Sequence, residues 1–136
     1  MRRPWLFLVL LALPPPAASV ESAVWSNYLL ACRGCHLRDG SGVPPEVPSL
    51  RDTLGPFAAT RVGRDYLIRV PGVSRSRLTD AELADVINWV LVEFNASSLP
   101  PDFEPFSAKE VASARTRSLS DPIAYRKRIV GESTPE

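Results

Sequence analysis

Cys32-Arg33-Gly34-Cys35-His36 is the stretch on which the reading of this chain turns. Two thiols three residues apart, followed at once by an imidazole, form the attachment signature of c-type haem. In that chemistry the thiols add to the porphyrin vinyl groups, and the adjacent histidine reaches the iron from one face. Cys32 and Cys35 are therefore the candidate covalent anchors, and His36 is the candidate proximal iron ligand. The opposite face of the iron has no obvious partner. The only methionine is Met1 and the only histidine is His36, so the second axial position is filled by something unusual or left open.

Two other readings of the cysteines stand beside this one. A two-residue spacing also suits a disulfide or a redox-active pair of the thioredoxin kind, but such a pair needs a βαβ setting that the flanking sequence does not supply. Structural zinc needs four nitrogen or sulfur ligands. Cys32, Cys35 and His36 exhaust every cysteine and histidine in the chain.

A length of 136 residues allows one domain around one small core. The start reads as an export signal over residues 1–19: Arg2 and Arg3, an apolar run from Trp5 to Leu13, then Pro14 to Ser19 ending in small residues. The apolar run is far short of the ~20 residues that span a bilayer, so no stable membrane anchor is expected. Loss of Arg2 and Arg3 with this segment turns the formal net charge of +1 into −1. No basic cluster is interleaved with aromatics, which gives no ground for a nucleic-acid partner. Arg126, Lys127 and Arg128 read as a solvated helix face.

From Val20 to Ala31, Val24 and Tyr28 recur at helical spacing with Cys32, and Trp25 and Leu29 lie beside them, which predicts a helix leading into the haem motif. Asp39-Gly40-Ser41-Gly42 and the prolines at 44, 45 and 48 predict an irregular loop up to Leu50. Short helices are expected over Leu54 to Thr60 and Gly63 to Val70, the latter ended by Pro71-Gly72. Thr79-Asp80-Ala81-Glu82 is a capping box, after which Leu83, Val86, Ile87, Val90, Leu91 and Phe94 recur at helical spacing up to a break at Asn95. Residues 96–136 read as a Pro- and Ser-rich linker and a helical C-terminal extension. In it, Ser107 to Glu110 forms a second capping box and Asp121-Pro122 opens a last helix.

Taken in order, these pieces from about Ser22 to Asn95 resemble a class I c-type cytochrome domain of the bacterial periplasm. The resemblance rests on Cys32, Cys35 and His36, on Asp39, Gly40 and Gly42, on Pro48-Ser49-Leu50, and on the helix from Asp80 to Phe94. It implies an all-α, cytochrome c-like fold around one covalently attached haem c, with residues 20–95 as the haem domain. It further implies that the Pro48 carbonyl accepts the His36 Nδ1 proton, that Leu50 packs on the porphyrin, and that Trp89 faces the first helix or the haem edge. The chain departs from the family at Arg69-Val70-Pro71-Gly72-Val73, where members commonly carry a methionine. The iron is then five-coordinate, or takes water, Lys109, Lys127, Tyr66 or the new amino terminus.

The resemblance implies a periplasmic electron carrier, not an enzyme, serving a redox partner such as a dehydrogenase or a respiratory component. The alternative is a protein that binds or senses carbon monoxide, nitric oxide or oxygen at an open iron, in a pocket made apolar by Leu67, Val70 and Val73. A peroxidase ranks below both, because no second histidine can serve as the distal acid-base group.

Overall fold

The backbone enters its first helix, α1 (Ala17–Ala31), with the apolar side chains of Val24 and Tyr28 buried on one face. The computed structural model describes residues 17–132, so the export signal expected over residues 1–19 lies almost wholly outside the described residues. At Cys32 the helix breaks, and a single turn follows, α2 (Arg33–His36). A loop then runs to Leu54, irregular as its glycines and prolines predict apart from one isolated bridge between Val43 and Val47.

Three short helices come next: α3 (Gly55–Ala58), α4 (Arg61–Arg69) and α5 (Pro71–Ser74). Helix α4 begins two residues ahead of the expected start, capped by Thr60, whose hydroxyl accepts from the Gly63 N–H at 3.0 Å. Gly63 lets α4 lie directly on α3, because a Cβ there would overlap the Phe57 carbonyl. As the sequence suggests, α4 stops ahead of Pro71-Gly72, with Val70 as its C-cap, and Pro71 then begins the separate one-turn α5. Its missing N–H costs nothing at a first-turn position.

The long helix α6 (Asp80–Asn95) carries the expected capping box, with Thr79 and Glu82 satisfying each other's backbone N–H groups. All six apolar positions of its stripe, from Leu83 to Phe94, are buried. Helix α6 packs across α1, where Trp89 meets Trp25 and Tyr28 at ring-centroid distances of 5.4 and 5.3 Å. Among the described residues there is no β-strand; the protein is an all-α, cytochrome c-like helical domain.

The C-terminal helices α7 (Ala108–Arg115) and α8 (Pro122–Glu132) return to α4 and α6. Phe106, Val111, Ala114, Leu119 and Ile129 join the same core as the side chains of α1 and α6. Polar contacts fix this return. Arg64 makes a two-pronged ion pair with Glu110, at 2.8 and 2.7 Å, and lies over the Phe106 ring. Arg115, on α7, donates to the carbonyls of Ser74, Ser76 and Leu78 and to the Asp80 carboxylate. The second capping box is only half formed: Ser107 accepts from the Glu110 N–H, but the Glu110 carboxylate is drawn to Arg64. In the basic run on α8, Lys127 and Arg128 are exposed, as its composition suggests, while Arg126 is half-buried over Phe57.

Asn95, at the last position of α6, is fully buried. Its Oδ1 accepts from the Leu54 N–H at 2.8 Å, and its Nδ2 donates to the Leu50 and Val90 carbonyls. Asn95→Ala would leave these groups without partners in the core, at a cost of about 3 kcal/mol. Guanidinium denaturation of the two proteins is expected to show a lower midpoint with an unchanged slope.

Candidate haem-attachment site

The α1–α2 junction folds the motif into one turn. The Cys35 and His36 N–H groups both donate to the Cys32 carbonyl, at 3.2 and 3.0 Å, so the two thiols and the imidazole issue from one small arc of backbone. Both thiols are free, with Cys32 half-buried and Cys35 exposed. His36 is half-buried, and its Nδ1 lies 3.1 Å from the Pro48 carbonyl. A carbonyl can only accept, so Nδ1 carries the proton and Nε2 keeps its lone pair.

Pro48 is itself held from several sides. The Leu50 N–H donates to the Gly40 carbonyl at 2.8 Å, and the Asp52 N–H to the Phe94 carbonyl at 2.9 Å, while Asn95 takes the Leu50 carbonyl. Gly40 has φ +78° and touches the Phe94 ring, where a side chain would collide. Gly42 runs so close to the backbone of Val47 and Pro48 that a Cβ there would overlap it. The glycines of this loop are thus the means by which Pro48 reaches His36.

Cys32, Cys35, His36 and Pro48 are brought together in the structure. Leu50 lies half-buried against the core two residues beyond Pro48. Trp89 is half-buried and faces the first helix, with the Phe94 ring 5.2 Å away. Of the candidates for the far side of the iron, Tyr66 is buried between the rings of Phe57 and Tyr125, at 5.4 and 6.0 Å. Lys109 and Lys127 are exposed. Leu67 is buried, and Val70 and Val73 pack against the core.

Two residues of this neighbourhood escape a reading of the sequence by residue type. Tyr28 reads as an apolar helix position, yet its O–H donates to the Leu37 carbonyl at 2.7 Å. Burial pushes its hydroxyl up to about 12, helped by the neighbouring Cys32 and Asp39, so it stays a donor. Asn95 reads as a helix terminator. Its signal is positional: it lies four residues after Leu91, on the buried stripe of α6, where a polar side chain must find partners.

Burial also sets the charge state of the motif. Desolvation lowers the proton affinity of His36 below that of a free imidazole, against the opposing pull of its bond to Pro48, which favours a neutral ring that can ligate a metal. Cys32 is pushed up to about 11, by burial first and by Cys35 second. A redox-active thiol of the thioredoxin kind is tuned the other way, and the all-helical surroundings lack its βαβ frame. The residues fit a covalently held haem: two thiols with no disulfide between them, and beside them an imidazole whose Nδ1 proton is already engaged.

Two sequences of cytochrome c-552 from Thermus thermophilus are each 30% identical to the chain over 118 residues. The alignments take in 72% of this chain, with 90% of the first relative and 80% of the second. No family model matches the chain, and no solved structure matches it. A helical domain with this motif and these relatives is a c-type cytochrome, and the chain belongs to the cytochrome c-552 family.

The raised Cys32 thiol has a direct test in haem-free Cys35→Ser protein. Its rate of alkylation by iodoacetamide is expected to climb with pH towards a midpoint between the ordinary thiol value and about 11, because the larger cause, burial, survives the substitution. A midpoint below about 7.5 would be that of an activated redox thiol.

Proposed function

We propose that this chain is an exported electron carrier holding one haem c with its iron, Cys32 and Cys35 as the thioether anchors and His36 Nε2 as the proximal ligand. The observation that carries the reading is the 3.1 Å bond from His36 Nδ1 to the Pro48 carbonyl, on the same turn of chain as two free thiols. Membership of the cytochrome c-552 family supports it. When bound, the group supplies a one-electron Fe(III)/Fe(II) couple.

The protein's own residues prepare for that couple. Pro48 fixes the tautomer and plane of the imidazole and makes Nε2 a stronger donor. Leu50 provides an apolar wall on that side, and Trp89 packs the crossing of α1 and α6 behind it. Asn95 and Gly40 hold the Pro48 loop so that little has to move when the charge of the site changes, which keeps the barrier to electron transfer low. The haem domain of this reading spans residues 20–95, with residues 96–136 as an extension.

Export to the periplasm follows from the signal read over residues 1–19, and among the described residues no helix is long and apolar enough to cross a membrane. The partner is then a periplasmic redox protein, a dehydrogenase or a respiratory component. On the far side of the iron the reading places no protein ligand, because the only methionine is Met1. A thioether ligand raises the potential, so this carrier works at a lower potential than a His/Met cytochrome. Binding of small neutral diatomics at that open position is the second reading, supported by the apolar side chains of Leu67, Val70 and Val73.

Spectroscopy of protein expressed with a haem-attachment system tests both. The expected result is one covalent haem per chain, a reversible couple below that of a His/Met site, and a reduced spectrum that shifts with carbon monoxide. His36→Ala is expected to abolish the native couple while leaving the thioethers. A chain that emerges without a Soret band sinks the reading and revives the thiol pair; a low-spin iron inert to carbon monoxide sinks the open sixth position alone.

A further inference from the structure

Tyr28 stands one helical turn before Cys32, and its side chain is fully buried. Its ring stacks on Trp25 at 5.7 Å and meets Trp89 at 5.3 Å and Phe94 at 5.8 Å. Held this way on several sides, the hydroxyl has one place to go. It donates to the Leu37 carbonyl at 2.7 Å, with the His36 carbonyl 3.4 Å away.

Leu37 is where the chain leaves the haem turn, and its backbone is unusual. Its φ of +53° lies in the left-handed region that side chains other than glycine seldom adopt. Its own side chain is 45% exposed, so burial of the leucine does not hold this conformation. The side-chain hydrogen bond received at Leu37 is the part-buried one from Tyr28. Strained backbone beside a site persists where the surroundings over-determine it, and here a rigid aromatic cluster does so through one hydroxyl.

We propose that Tyr28 is a positioning residue for His36. By holding the Leu37 peptide, its hydroxyl fixes the backbone direction from which the imidazole projects, so that Nδ1 meets the Pro48 carbonyl. The ring is thus gripped at both ends, through Pro48 at Nδ1 and through Tyr28 at the main chain. The assignment rests on the reading of His36 as the iron ligand and deepens it: Tyr28 tunes how basic that ligand is, without touching the iron or the haem.

Tyr28→Phe in the haem-bearing protein separates the hydroxyl from the ring, which keeps its packing. A looser Leu37 weakens the Nδ1 hydrogen bond and makes Nε2 a poorer donor. The expected results are a lower iron–histidine stretching frequency in the resonance Raman spectrum and a severalfold shift of the reduction equilibrium towards the ferrous form. Leu37→Gly, at an exposed position, relieves the strain of this positive φ without disturbing the aromatic cluster; alone it is expected to match wild type, and added to Tyr28→Phe it is expected to return both readouts towards wild type. Tyr28→Leu, which also removes the ring, supplies the contrast. If it alone moves the readouts, with Tyr28→Phe matching wild type, or if adding Leu37→Gly leaves the Tyr28→Phe readouts unchanged, Tyr28 does not act through the Leu37 peptide and the assignment is overturned. Wild-type protein without attached haem overturns the functional reading and this one together, whereas a haem-bearing wild type with unresponsive variants overturns only the role of Tyr28.

Discussion

The carboxamide of Asn95 ties the end of the longest helix to the loop that aims the site. It accepts from Leu54 and donates to Leu50 and Val90, so the Pro48 loop is attached to α6 at a fixed height. An amide side chain fully inside a protein is costly unless each of its polar atoms is satisfied. That requirement works in both directions here, since the loop needs Asn95 as much as Asn95 needs the loop. Gly40 and Phe94 add a second attachment, and together they bring the Pro48 carbonyl to the His36 ring. Leu54, at the far end of the attachment, leads into α3, so the constraint extends from the site into the core.

The C-terminal extension solves a different problem. A chain of this length has few apolar side chains with which to enclose a core, and α7, α8 and the segment between them contribute Val111, Ala114, Ile129 and Leu119 to it. Arginines, not apolar contacts alone, set the docking. Arg115 gathers three backbone carbonyls and a carboxylate from residues 74 to 80, and Arg64 pairs with Glu110. The planar guanidinium suits such multidentate contacts. The stretch between α5 and α6 is therefore backed by Arg115 from the extension.

The electrostatics of the motif follow from burial. Desolvation disfavours charge, which lowers the proton affinity of His36 and raises that of Cys32. A neutral imidazole is the form that donates to a metal. A thiol that stays protonated, by contrast, is a poor redox nucleophile. The same half-buried turn thus favours the haem chemistry over the thiol chemistry that an identical spacing of cysteines serves elsewhere.

The helices α1 and α6, the glycine- and proline-rich loop, the Thr79 cap and the haem motif were all legible in the sequence. Each is a local matter of apolar period, capping residue or turn residue acting within a few positions. Pro48 was legible too, because its distance from His36 along the chain is part of a motif. Tertiary structure alone decided the rest. Glu110 left its local cap for Arg64, 46 positions earlier, because an ion pair to a guanidinium outweighs one exposed backbone donor. Asn95 became a keystone and Tyr28 a hydrogen-bond donor to the turn after His36 because burial obliges a polar atom to find a partner. Which partner it finds depends on how α1, α6 and the loop meet, and no local pattern of residues contains that.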